Sequence, residues 1–172
     1  MTDPATPPFP SGPFPLGPFP SGEGEVLPGW IDSNDHMNLA YYVMLFDQGT
    51  DGIYEAFGMG PGYKKRTGCG TFAAEAHIIY ENELLLGERV RMTSWVVNAD
   101  AKRLHLAHAM HRVSDGRRAA MTELVLLHID LSVRRVAPWP AEVLARMLEA
   151  KAAQGPLPGW VGRHVGMGKV AG

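Results

Sequence analysis

From residue 72 onward, apolar and polar positions trade places at every second residue. Phe72, Ala74, Ala76, Ile78 and Tyr80 alternate with Ala73, Glu75, His77 and Ile79, the period of a strand with two unlike faces. Val90, Met92, Ser94 and Val96 make a second such run. Leu104, Leu106, His108 and Met110 make a third, and Met121, Glu123, Val125, Leu127 and Ile129 a fourth. Asn82 to Gly87 and Asn98-Ala99-Asp100 break the runs. Ser114-Asp115-Gly116 is a hairpin signal, because Asp-Gly suits a tight turn between antiparallel strands.

Upstream the period changes. Leu39, Tyr42, Val43, Phe46, Ile53 and Phe57 follow helical spacing and predict one long apolar face ending near Gly58. Asn38 is the expected N-cap. Gly49 and Gly52 interrupt the helix, each at a cost of about 1 kcal/mol relative to Ala, and a close approach of another backbone would offset that cost. Gly24 to Ile31 reads as a first strand, interrupted at Pro28-Gly29. Pro138 and Pro140 end the strand region, and a short helix is expected from about Ala141 to Ala152.

The order is strand, long helix, four hairpin-linked strands and a terminal helix. It predicts an α+β fold with an antiparallel sheet whose concave face takes the apolar face of the long helix. Residues 8–22 are three pentads, Pro-Phe-Pro-Ser-Gly, Pro-Phe-Pro-Leu-Gly and Pro-Phe-Pro-Ser-Gly. Proline removes donors and fixes φ, so they cannot form helix or central strand, and an extended polyproline-like or disordered tail is expected. The expected organisation is a tail over 1–23, a folded domain over 24–140, and a terminal helix with a Gly-rich tail over 141–172.

Composition narrows the class. A length of 172 residues with 45% hydrophobic and 20% charged residues suits one soluble domain. No apolar run approaches the roughly 18 residues of a membrane span, no secretory signal begins the chain, and the single Cys69 gives no internal disulfide. A cytoplasmic location is the expectation. The net charge of −2 is unevenly spread. Residues 1–63 hold eight acids and no Lys or Arg, while the remainder holds all 16 Lys and Arg against ten acids. The basic residues come in scattered pairs (Lys64-Lys65-Arg66, Lys102-Arg103, Arg117-Arg118, Arg134-Arg135), not in a stripe, so nucleic acid is not the expected partner.

The chemistry concentrates in Asp32-Ser33-Asn34-Asp35-His36-Met37-Asn38-Leu39-Ala40-Tyr41-Tyr42, directly before the long helix. A helix N-terminus offers unsatisfied N–H groups and partial positive charge, which would stabilise a polarised carbonyl oxygen. A carboxylate beside it can serve as general base on water or as nucleophile, and His36 can orient the water or the carboxylate. The run also has the outline of a calcium loop, but Met37 stands where Gly is required and Val43 where a bidentate Glu is required. His105, His108, His111 and His128 show no ligand spacing, so no metal is expected.

The Asp32-x-x-x-His36-x-Asn38 run, followed by an aromatic-rich helix and four strands, resembles the hot-dog thioesterases of the 4-hydroxybenzoyl-CoA thioesterase type. Its spelling Asp32-x-Asn34-x-His36-x-Asn38 is similar to the motif of plant acyl-carrier-protein thioesterases. The resemblance covers roughly residues 24–140. It departs at Leu39, where many members carry a second Asn, and at Trp30, where many carry a second acid. Phe46-Asp47 followed by Asp51, with a later Trp-Pro, looks closest to bacterial members proposed to act on betainyl-CoA-like short thioesters.

The resemblance implies a hot-dog fold, a five-stranded antiparallel sheet wrapped around the helix. It implies an obligate homodimer, or a homotetramer, with active sites at the subunit interface. It implies acyl-CoA or acyl-carrier-protein thioesters as substrates, with no cofactor and no metal. Asp32 takes the place of the catalytic carboxylate, with His36 and Asn34 beside it; Asn38, Leu39, Asp47 and Glu75 are candidate substrate contacts. Against each stands a plainer role: a cap or turn for Asp32, Asn34 and Asn38, a solvated or interface helix face for Asp47, a polar patch shared with His77 for Glu75. The expected function is hydrolysis of a short or polar acyl-CoA. The alternatives are a hot-dog enoyl-CoA hydratase or dehydratase, which the spacing of Asp32 and His36 disfavours, and a non-catalytic acyl-thioester-binding protein.

Overall fold

The two glycines of the long helix explain how the parts are stacked. In the computed structural model, which describes residues 13–14 and 16–162, helix α1 (Leu39–Ala56) crosses strand β1 (Phe19–Glu25) at Gly49 and Gly52. A Cβ on Gly52 would stand 2.2 Å from the Ser21 carbonyl oxygen. One on Gly49 would stand 3.2 Å from Met92 Sδ and 3.4 Å from Ser21 Oγ. The helix therefore gives up intrinsic propensity there to admit the backbone of β1.

A short helix α2 (Tyr63–Thr67) follows, then β2 (Cys69–Tyr80), β3 (Arg89–Ala99), β4 (Arg103–Arg112), β5 (Arg118–Asp130), the two-residue β6 (Arg135–Val136) and α3 (Ala141–Ala153). The strand order is β1-β3-β4-β5-β2, every pairing antiparallel, with β6 alongside β5. This is the expected helix-in-sheet arrangement. No helix among the described residues is long and apolar enough to cross a membrane.

The core lies between α1 and the sheet. Tyr42, Leu45, Phe46, Ile53 and Phe57 are buried against Val90, Met92, Leu104, Leu106 and Met110. Leu39 and Val43, expected on the same face, are 62% and 43% exposed; they flank clefts described below. On the opposite face of the sheet, Trp160 crosses Trp95 edge-on at 6.0 Å above Ala107, Ala109 and Met121.

Three local expectations change. The first strand is Phe19–Glu25, not Gly24–Ile31, and Pro28–Trp30 is a 3₁₀ turn. The third pentad thus lies inside the folded body, which begins well before Gly24. Its prolines are tolerated because β1 is an edge strand, and a bulge at Ser21 relieves the register between Pro20 and Gly22. Phe14 of the second pentad is buried too, 5.9 Å from Phe57 and under the Arg146 guanidinium at 4.3 Å. The first pentad and the Gly-rich end beyond residue 162 lie outside the described residues. In β2, the register slips between Ala73 and Glu75. The extra residue, Ala74, breaks the strict alternation and puts Ala73, Ala76 and Ile78 together on the side facing α1.

His108, expected only as a strand position, is fully buried. The Thr50 hydroxyl donates to Phe46 O (3.0 Å), so its oxygen accepts from His108 Nε2–H (3.2 Å). The Ser94 hydroxyl then donates to Nδ1. Burial pushes His108 down to about 3. His128 is also lowered by burial; it stacks on Trp139 at 4.4 Å and lies 2.9 Å from the Tyr63 hydroxyl.

Two outcomes are expected. Gly52→Ala drives a methyl into the β1 backbone, so the variant melts well below the parent or fails to fold, consistent with an overpacking cost of about 1–3 kcal/mol or more. Thermal denaturation checks this. Separately, a lowered imidazole pKa leaves stability intact above the unfolded-state value. As pH falls below about 6.5 the unfolded chain binds protons that the folded one refuses. The melting temperature is expected to hold between pH 7 and 8 and to fall below pH 6, while nitrogen chemical shifts report a neutral His108 at pH 5.

Candidate active site

The segment 31–38 is a turn fastened at both ends. Ile31 and Met37 pair as an isolated bridge. The Asp32 N–H donates to His36 O (3.0 Å), the Met37 N–H to Leu84 O (2.8 Å) and the Asn38 N–H to Trp30 O (2.9 Å). Met37 is buried as an anchor, and Asp35 takes the left-handed conformation (φ 62°) that closes the turn. Trp30 stacks on Tyr41 of the first helical turn, with centroids 5.1 Å apart. The polar side chains between are thereby held on a rigid backbone.

Asp32 Oδ1 accepts the Asn34 N–H at 2.8 Å, an Asx turn that fixes the carboxylate. Its other oxygen, Oδ2, lies 3.6 Å from His36 Nε2. His36 Nδ1 lies 3.3 Å from Glu83 Oε2. The imidazole therefore bridges two carboxylates, one on the turn and one on the β2–β3 connection. Asn38 caps α1, its Oδ1 accepting the Ala40 N–H at 3.0 Å, as expected. The Leu39 N–H heads the helix, where no preceding turn exists to accept from it.

These residues open onto a cleft of about 400 Å³ lined by Asp32, Asn34, His36, Leu39, Tyr42 and Tyr80, with Met37, Glu81, Asn82 and Glu83 completing it. Tyr42 and Tyr80 meet edge to face at 5.2 Å. Burial, the largest cause, raises the Tyr42 pKa, so its phenol stays neutral. Its hydroxyl points to Asn82 O at 3.5 Å. The Glu81–Glu83 connection is tied to β5: Arg118 Nε and Nη2 each lie 2.8 Å from a Glu81 oxygen, and Asn82 Nδ2 donates to Arg118 O at 2.7 Å.

The structure brings Asp32, Asn34, His36 and Leu39 to one cleft and sets Asn38 behind it as the cap. It does not bring Asp47 or Glu75 there within one chain. Asp47 and Asp51 line a separate cavity of about 350 Å³ between α1 and β2, with Val43, Tyr54, Ala76 and Ile78. Burial, then the neighbouring Asp47 and Glu55, raises the Asp51 pKa. Glu75 is exposed beside the β2 bulge. The sequence reading did not bring Tyr80, Glu81 or Glu83 to this cleft, because Tyr80 reads as a strand position and the polar run after the strand as a turn. The available signal was an acid pair on the connection that returns to the helix start. No group of three or more metal-ligating side chains occurs among the described residues.

Residues 26–147 match the model of the thioesterase-like superfamily, and the chain belongs to that family. Fold, turn and family together define a thioester hydrolase. Over 148 residues the chain is 36% identical to a betainyl-CoA thioesterase of Pseudomonas aeruginosa, covering 84% of this chain and 92% of that protein. It is 31% identical over 139 residues to an L-carnitine dehydrogenase/betainyl-CoA thioesterase of Rhizobium meliloti, where the match spans 80% of this chain and 28% of the longer protein. Among solved structures, a Staphylococcus aureus hypothetical protein in complex with CoA superposes with a TM-score of 0.82 at 24% identity, covering 91% of this chain and 99% of that one. A putative thioesterase of Pseudomonas putida KT2440 superposes with a TM-score of 0.75 at 28% identity, covering 90% and 98%.

Replacing Asn38 by Ala removes the one side-chain bond that caps α1. A loss of about 1 kcal/mol is expected, seen as a melting temperature lower by roughly 2–4 °C for a chain of this size.

Proposed function

We propose that this chain hydrolyses a short, polar acyl-CoA, of the betainyl-CoA type, with Asp32 as general base. The observation that carries this reading is the Asp32–His36–Glu83 arrangement beside the start of α1. The thioester carbonyl oxygen lies toward the Leu39 N–H at the start of α1, where the helix dipole favours developing negative charge. Water attacks the carbonyl carbon while its proton passes to Asp32. The tetrahedral intermediate collapses with cleavage of the C–S bond, and the proton held by Asp32 neutralises the departing CoA thiolate. His36, braced from behind by Glu83, holds the carboxylate and the water in line. Leu39 gives the acyl group an apolar wall.

Support for the betainyl acyl group comes from the relatives, which carry that name at 36% and 31% identity. Support for CoA over a carrier protein comes from the same names and from the CoA-bound structural neighbour. A homodimer fits the outer edge of the twelve-residue β2, with which no strand pairs among the described residues, and the exposed Phe72, Tyr80, Leu39 and Val43. In such a dimer Asp47 and Glu75 belong to the shared surface between the chains. A cytoplasmic location suits a CoA ester as substrate and a single free cysteine.

Thiol release from a panel of short, branched, aromatic and betainyl CoA esters tests the reading. The parent is expected to cleave betainyl-CoA, and a folded Asp32→Asn variant is expected to lose about 10²-fold or more of kcat, the usual weight of a positioned acid–base group. Full activity in Asp32→Asn would assign the base elsewhere.

A further inference from the structure

The cleft beside Asp32 has an unusual charge balance for a protein that accepts a polyanionic CoA ester. Three carboxylates line it, Asp32, Glu81 and Glu83, and no Lys or Arg does so among the described residues. Arg118 stands behind Glu81 in a two-pronged pair. The Asp32 carboxylate meets the Asn34 N–H and the His36 ring, and the Glu83 carboxylate meets the His36 ring from the other side, so no cation but a protonated His36 would offset either. Two tyrosine rings complete the wall. Tyr42 is buried, and Tyr80, set at 84° to it, is 46% exposed. The separate cavity between α1 and β2 repeats the theme, with Asp47, Asp51 and Tyr54 among its lining residues and again no described Lys or Arg.

Such a cleft opposes an anionic acyl group. A primary ammonium would be expected to pair directly with a carboxylate. A quaternary ammonium cannot donate a hydrogen bond and is held by aromatic faces and by the summed negative field. In an acyl group of the form (CH₃)₃N⁺–CH₂–C(=O)–S, two bonds separate the nitrogen from the reacting carbon, so the cationic head must occupy this same cleft.

We propose that Tyr80, backed by Tyr42 and the carboxylates of Asp32, Glu81 and Glu83, is the specificity-determining residue that seats a quaternary ammonium acyl head. The proposal rests on the thioesterase reading above for the position of the carbonyl. It makes the positive charge, not the shape, of the acyl group the property that is selected.

The test compares betainyl-CoA with 3,3-dimethylbutyryl-CoA, its neutral isostere with carbon in place of nitrogen, on the parent, Tyr80→Phe and Tyr80→Leu. The parent is expected to prefer the cation in kcat/KM by about tenfold or more, and added salt should narrow the gap. Tyr80→Phe, which keeps the ring, should retain the preference. Tyr80→Leu should lose about five- to thirty-fold of it, the range spanned by a desolvated cation–π contact. Equal rates on both isosteres, or an unchanged preference in a normally melting Tyr80→Leu, would overturn the proposal while leaving thioester hydrolysis standing. Equilibrium binding of the two non-hydrolysable ketone analogues, with a methylene between sulfur and carbonyl, separates the two readings. If neither ester is cleaved, a Tyr80-dependent preference for the cationic analogue sustains the proposal and discards the hydrolytic reading. Equal binding of the two analogues discards the proposal.

Discussion

The contact between Ser21 and the glycines of α1 sets the position of everything else. The helix backbone lies so near β1 that a methyl at position 52 would overlap the Ser21 carbonyl. That contact fixes the depth at which α1 lies in the sheet, and the depth decides which side chains become core. Tyr42, Leu45 and Phe46 reach Met92 and Met110, and Thr50 reaches the neutral His108 from above. The glycines cost helical propensity, and the packing they permit offsets it. The third Pro-Phe-Pro-Ser-Gly pentad has its structural reason here, since its Ser-Gly end is the part of β1 that meets the helix.

With α1 seated, the turn before it has little freedom. Its backbone is bonded to Trp30 on one side and Leu84 on the other, so Asp32, Asn34 and His36 are placed mainly by main-chain hydrogen bonds and not by side-chain packing. This suits a carboxylate proposed as a base, which needs contact with solvent: Asp32 is partly exposed, as is His36. The rigid part of the site is buried and the reactive part is not. The same arrangement explains why the β2–β3 connection belongs to the site. Leu84, which accepts from Met37, and Glu83, which faces His36, are consecutive residues.

Much of this was legible in the sequence. The period-two runs located four strands, the period of α1 located the helix, and Asn38 was readable as its cap. That Asp32, Asn34 and His36 would gather at the start of α1 was readable from their order directly before a helix, and the structure places the three on one cleft. What escaped has physical causes. A single inserted residue at Ala74 reverses which side of β2 faces inward, and periodicity alone cannot register one extra residue. β1 was misplaced because proline-rich sequence argues against strands in general, whereas an edge strand needs donors along one side only. Glu83 and Tyr80 come to Asp32 from more than forty positions away, and nothing local marks a residue as a neighbour of a distant one. Leu39 and Val43 looked like core because an apolar stripe gives the direction of burial without its width.

The site draws on two sources that are covalently far apart. The groups proposed to break the bond sit on one fastened turn, and the wall proposed to judge the acyl head sits at the end of β2. On that proposal, substitutions at position 80 redirect which ester is accepted without disturbing the hydrogen bonds that hold the turn. In evolutionary terms, the reaction and the diet of such an enzyme are separately heritable. A lineage can exchange one acyl group for another by altering a strand end, while the eight residues from Ile31 to Asn38 are passed on unchanged.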